Sequence, residues 1–282
     1  MKLKHLSALA AAAAAACSPL HAQWVTLTDS GTPILATINP KTTVTPTPSL
    51  CTNTGAAPTG GQLPVNTQSS SLATGKFGGL PGSASMTGYI LHRTNGAGTS
   101  LQTGSPAVTV GTLYDRVYCT SSNGSSCDGT NTYVFATRAI LNTNAWDPSG
   151  GAFEINDFFR AVPTAATGVQ VGYYMGTSGG SAPDDSQAFK YLEYAGRTNT
   201  GLGQTITRSQ GFVAFRADTN ASDPDRCEPY SSNSSNSPWM YAKLTCSSGV
   251  TTSPAAFKIR VRQGGEEGQP IVSISTSGFA CN

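Results

Sequence analysis

The segment Gly176-Thr177-Ser178-Gly179-Gly180 follows a strand-like run and matches Gly-x-Ser-x-Gly, the turn that lifts a nucleophilic serine clear of a sheet. Such a serine needs a histidine base and an orienting carboxylate. Once the leader described below is removed, the chain keeps one histidine, His92, and it precedes Ser178. That position excludes the Ser, Asp, His order of hydrolases built around this turn. The order His92, Asp115, Ser178 stays open as a serine-protease order. Thr177 stands where an aspartate normally precedes the nucleophile, and His92 sits in Ile-Leu-His-Arg, so a glycine-rich hairpin loop is the simpler account. Asp29-Ser30-Gly31-Thr32 has the form of a catalytic aspartate turn. That chemistry needs two carboxylates sharing a proton, and Asp218-Thr219-Asn220 lacks the glycine of a second turn.

Asp218, Asn220, Ser222, Asp223 and Asp225 place oxygen-bearing side chains close together, as a hard cation such as calcium requires. Asp223 and Pro229 occupy the positions where an EF-hand carries glycine and glutamate, so the segment is a candidate calcium loop of another kind. Its simpler reading is a turn capped by Asp and Asn and stapled by Cys227. Glycoside hydrolysis needs two carboxyl groups about 5–10 Å apart. Glu154 with Asp157, or Asp184 and Asp185 with Glu193, are the pairs on offer. Trp146, Tyr173, Tyr174, Tyr230, Trp239 and Tyr241 are candidates for a sugar-stacking surface, although aromatic residues favour strands in any case.

Seven cysteines remain to be placed. Cys17 lies in the leader, where three preceding alanines make a poor lipidation site. The other six, Cys51, Cys119, Cys127, Cys227, Cys246 and Cys281, form an even set in a chain predicted to be exported, which favours disulfides. No Cys-x-x-Cys pair occurs, and a single histidine gives a zinc or haem site little support. Spacing suggests Cys119–Cys127 and Cys227–Cys246, leaving Cys51–Cys281. A strict two-residue turn at Asn123-Gly124 would oppose Cys119 to Asp128, so the first pair requires a wider or bulged loop.

The elements that position these residues begin after a leader. Lys2 and Lys4, the apolar run from Leu6 to Ala16 and the small-residue end Leu20-His21-Ala22 predict a secretory signal peptide at 1–22, of bacterial style. Cleavage after Ala22 leaves 260 residues, and losing the two lysines leaves 15 basic against 15 acidic side chains. A neutral chain with 11% charged residues gives nucleic acid no electrostatic footprint. No later apolar run approaches the roughly 20 residues of a membrane-spanning helix. Residues 23–85, rich in Pro, Thr, Gly and Ser, read as an irregular region with one strand-like stretch, Pro33–Ile38.

From residue 86 to 282 short β-branched and aromatic runs alternate with turn residues. Strands are expected at 86–92, 107–119, 133–141, 169–175, 187–194, 211–216, 239–246, 257–262 and 271–276. The best alternation sets Phe257, Ile259 and Val261 against Lys258, Arg260 and Arg262. Phe153–Ala161 is expected to form one or two helical turns. The fold class predicted is all-β, an antiparallel sandwich or barrel-like meander of nine to eleven disulfide-stapled strands. The function expected is a non-enzymatic, exported surface or extracellular component of an adhesive, envelope, matrix or filament type. Its expected partners are further copies, other surface proteins or glycans. The alternatives are a soluble glycan-binding module with a calcium-stabilised loop, and an exported hydrolase.

Overall fold

Alternation of apolar and polar residues over short runs builds this protein, and where it fails a strand is buried on both faces. The computed structural model describes residues 24–27, 89–104, 106–148, 150–174, 194–197, 211–221, 235–264 and 269–282, without the side chains of Val25, Tyr174, Tyr194 and Asp218. The leader, Pro33–Ile38, Ser178, the Asp29 turn, Cys51, Asp184, Asp185, Glu193, Ser222, Asp223, Asp225, Cys227 and Tyr230 lie outside those residues.

Twelve strands run through the described residues. They are β1 (Val25–Thr26), β2 (Tyr89–Thr94), β3 (Thr99–Gln102), β4 (Thr109–Thr120), β5 (Thr132–Leu141) and β6 (Glu154–Ala161), followed by β7 (Gln170–Tyr174), β8 (Tyr194–Gly196), β9 (Phe212–Asn220), β10 (Trp239–Thr245), β11 (Ala255–Gln263) and β12 (Val272–Gly278). All pairings are antiparallel. One sheet has seven strands in the order β1-β7-β10-β5-β4-β2, with β3 also on β4; the other has five, β12-β11-β6-β9-β8. Their facing surfaces share one apolar core, with Val117, Phe135 and Met240 from the larger sheet and Phe158, Phe215 and Val261 from the smaller. The all-β class holds, as two open antiparallel sheets rather than a closed barrel.

Three sequence expectations need correction. Phe153–Ala161 is not helical: β6 occupies the middle of the five-stranded sheet, between β11 and β9. Every β6 residue except Ala161 is buried, and a strand covered on both faces shows no period for a sequence reading to detect. The alternation in β11 holds at Ile259 and Val261 but fails at both ends. Phe257 is 73% exposed, with φ of 60° at a register shift between Ala255 and Ile259. Arg262 is buried, facing an acid on the next strand. Finally, Trp24–Leu27, assigned by sequence to the irregular region, contains an edge strand. Val25 pairs with Val171 and Thr26 with Gln170, and the Leu27 N–H donates to Val169 O at 2.7 Å.

The disulfides confirm one pairing and overturn two. Cys119 is bonded to Cys127, with Cα atoms 5.6 Å apart. The loop between them is wide, as expected: Asn123 Oδ1 accepts from the Ser125 and Ser126 N–H groups, and the Asp128 N–H donates to Thr120 O. Cys246 is bonded to Cys281, which replaces both Cys227–Cys246 and Cys51–Cys281. The reason is a non-local ladder: Val250 bridges Cys281, and Thr251 N–H donates to Ala280 O, so the chain end lies beside the end of β10. Loop-closure entropy ranks the two bonds. With 35 residues of separation against 8, Cys281→Ser is expected to cost about 4 kcal/mol and Cys127→Ser about 2.5 kcal/mol. Urea unfolding of the two variants tests that order, and a larger loss for Cys127→Ser would contradict it.

Candidate functional site

Strand alternation places Leu113, Asp115, Val117 and Cys119 of β4 on the face that meets the second sheet. A carboxylate there must be satisfied inside the protein. Arg160 of β6 reaches across from the other sheet and donates from Nη1 to Asp115 Oδ1 and, at 3.0 Å, to Thr137 Oγ1. The Phe279 N–H donates to Asp115 Oδ2 at 2.7 Å, and Arg160 Nη2 donates to Phe279 O. Gly278 makes this approach feasible, since a Cβ there would stand 2.6 Å from Ile259 Cδ1 and 3.0 Å from Asp115 Oδ2. Burial pushes the Asp115 carboxyl above 3.8, while the Arg160 charge and the hydrogen bonds pull it back. The Arg160 guanidinium also lies 4.7 Å from the centre of the Phe135 ring. Asp115 therefore joins the sheets and the chain end. It does not orient His92.

His92 is placed elsewhere, by a bulge. Leu91 pairs with Tyr118 and Arg93 with Val117, which leaves His92 as the extra residue of β2. Its Nδ1 lies 3.3 Å from Cys127 Sγ, and its ring centre is 5.7 Å from that of Tyr133. Partial burial, then the nearby Arg93 charge, hold its pKa below 6.5. Ser178 is outside the described residues, so the structure separates the base from the acid of the His92, Asp115, Ser178 order without reaching its nucleophile.

The first acid pair is engaged by other groups in the same way. Glu154 and Asp157 lie on either side of a register shift between Ile155 and Asp157. Their partners on β9, Asn220 and Arg216, are four residues apart, so the two acids share the outer face of the sheet. Glu154 accepts from Asn156 Nδ2 at 2.9 Å. Asp157 accepts from Arg262 Nε at 3.0 Å and has Arg216 Nε 4.0 Å away, one arginine from each neighbouring strand. Of the calcium candidates, Asp218 and Asn220 lie in β9, with Asn220 buried opposite Glu154.

Sequence reasoning did not foresee the outer face of the seven-stranded sheet. Tyr118, Val134, Ala136, Trp239 and Tyr241 form a second buried cluster there, flanked by Trp24, Tyr89, Leu91 and Tyr114. Cations lie against it: Arg116 and Arg138 stand 5.3 Å and 5.9 Å from the Trp239 ring centre, and Lys243 is 5.0 Å from that of Trp24. Burial lowers the Lys243 pKa. Of the sugar-stacking candidates, Trp239 and Tyr241 belong to this closed cluster and Tyr173 to the main core. Trp146 packs edge-on against Phe153 at 5.2 Å. Aromatics and a cation at every second position, Tyr114, Arg116 and Tyr118 in β4 and Trp239, Tyr241 and Lys243 in β10, were the available signal. The chain matches no protein-family model and shows no significant similarity to curated proteins or to solved structures.

Proposed function

We propose that this protein is an exported, non-enzymatic component of the cell surface or extracellular material, of the adhesive, envelope, matrix or filament type. The observation that carries this reading is β1. Residues just beyond the predicted leader lie along β7 as a two-residue edge strand, with Leu27 buried and Gln170 Nε2 donating to Thr26 Oγ1. A short separable strand on a sheet edge is the element that strand addition uses, because the same edge accepts equivalent residues of a neighbour. The described charges add support: Asp115, Arg160, Asp157 and Arg262 bind one another between strands and sheets. Two disulfides favour an oxidising compartment, and no helix among the described residues is long and apolar enough to cross a membrane. Further copies, other surface proteins and glycans are the partners this reading implies.

Fractionation of producing cells, with non-reducing sizing of the mature protein, tests it. Surface-associated, high-mass material is expected from the intact chain, and a folded monomer from a variant lacking residues 23–50. Recovery of the intact protein only as a soluble monomer, or unchanged assembly by the deletion variant, overturns the proposal.

A further inference from the structure

His92, Cys119 and Cys127 bring one ligand-type atom each to within 4.8 Å of one another. We propose that reduction of the Cys119–Cys127 bond turns this end of the β2–β4 pair into a soft-metal site, with both thiolates and His92 Nδ1 as ligands for zinc or copper(I). Two thiolates and an imidazole suit these ions, and three protein ligands leave the fourth tetrahedral position open to water.

The geometry is close to what the metal requires. With metal–sulfur and metal–nitrogen distances of about 2.3 and 2.0 Å, neighbouring ligand atoms in a tetrahedron stand roughly 3.5–3.8 Å apart. His92 Nδ1 and Cys127 Sγ are already 3.3 Å apart. The Cys Cα atoms, 5.6 Å apart, let the sulfurs open to that separation by side-chain rotation. Strand β4 holds Cys119, the β2 bulge aims His92, and the Tyr133 ring packs beside the imidazole. Cys119 is buried, while His92 and Cys127 are half-buried, so an ion can enter from the loop side.

The electrons balance through thiol exchange. A dithiol reductant gives two electrons and two protons to the Cys119–Cys127 bond, becoming a disulfide itself and leaving two thiols here. The incoming metal ion then displaces both thiol protons. Oxidised, the loop is tied by a covalent bond; reduced, the ion would hold the same three residues together.

Cobalt(II) is the probe, added to the mature protein before and after reduction by a phosphine and followed by absorption and far-ultraviolet circular dichroism. The reduced protein is expected to bind one ion, with thiolate-to-cobalt charge-transfer and tetrahedral d–d bands, and the oxidised protein to show neither. Cys246→Ser with Cys281→Ser should keep the bands, and Cys119→Ser with Cys127→Ser should abolish them. His92→Ala should weaken cobalt binding by at least about tenfold, since even outer-shell changes cost 10–100-fold. Absence of the bands in the reduced protein overturns the proposal. So does unaltered affinity in His92→Ala, or loss of the β signal on reduction alone.

Discussion

Asp115→Ala is expected to lower the unfolding free energy by about 3–5 kcal/mol, the range for breaking one side of a buried ion pair. Both partners are essentially inaccessible: Asp115 is 0% exposed and Arg160 2%. Removing the carboxylate leaves the Arg160 guanidinium buried with the Thr137 hydroxyl and Phe279 carbonyl but without a counter-charge. The Phe279 N–H loses its acceptor as well. The damage should spread to the chain end, because Gly278 and Phe279 wrap Asp115 just before Cys281. Amide exchange at Phe279 should therefore quicken more than exchange at Phe135 in the same core. Asp115→Leu combined with Arg160→Met should recover most of the loss, since apolar replacement of a buried pair is commonly neutral or stabilising by about 1–4 kcal/mol. Urea unfolding of the singles and the double tests this. A single-variant cost below about 1 kcal/mol, or a double no better than its parents, would show that the pair does not hold the sheets together.

The contrast between Asp115 and Phe257 shows which parts of this fold could be read from sequence. Dense runs of β-branched and aromatic residues announced themselves even without a wet face: Tyr133–Leu141 and Trp239–Cys246 were expected almost where β5 and β10 lie, although both strands are buried nearly throughout. The short strand β3 has one apolar residue, Leu101, in Thr-Ser-Leu-Gln, too little for a period to show. β6 failed for the opposite reason, since it is buried throughout and its arginine and aspartate read as signs of a solvent face. The partners of those charges lie far along the chain, Asp115 from Arg160 and Asp157 from Arg262. A local reading cannot supply pairings of that range. The same limit explains the cysteines. Cys119–Cys127 closes a loop whose turn residues are visible between them, whereas Cys246–Cys281 depends on the Val250–Cys281 bridge. Of the candidate sites, the motifs were legible as motifs, but their geometry was not. A strand bulge moved His92 to a disulfide, and an inter-sheet ion pair claimed Asp115.

Trp239→Ala separates a binding surface from a structural one. A sugar-stacking tryptophan stands open, and its loss removes ligand affinity while leaving the fold intact. Trp239 is instead 0% exposed on the outer face of β10, beside Arg138 on β5 and near Arg116 on β4. Arg138 is itself anchored, donating from Nε to Ser237 O at 2.9 Å. Deleting the indole opens a cavity among Tyr118, Val134 and Tyr241 and removes the aromatic face that two guanidinium groups share. The expected cost is about 3–5 kcal/mol, a fall in melting temperature on the order of 10 °C. Trp239→Phe should lose less, because it keeps a ring for the arginines. If Trp239→Ala melts like the parent and the parent binds glycans on an array, the cluster is a ligand platform. A large loss in Trp239→Ala with partial rescue by Trp239→Phe makes this face a second core, built from the same alternation as the first and closed by cations where the first uses aliphatic side chains.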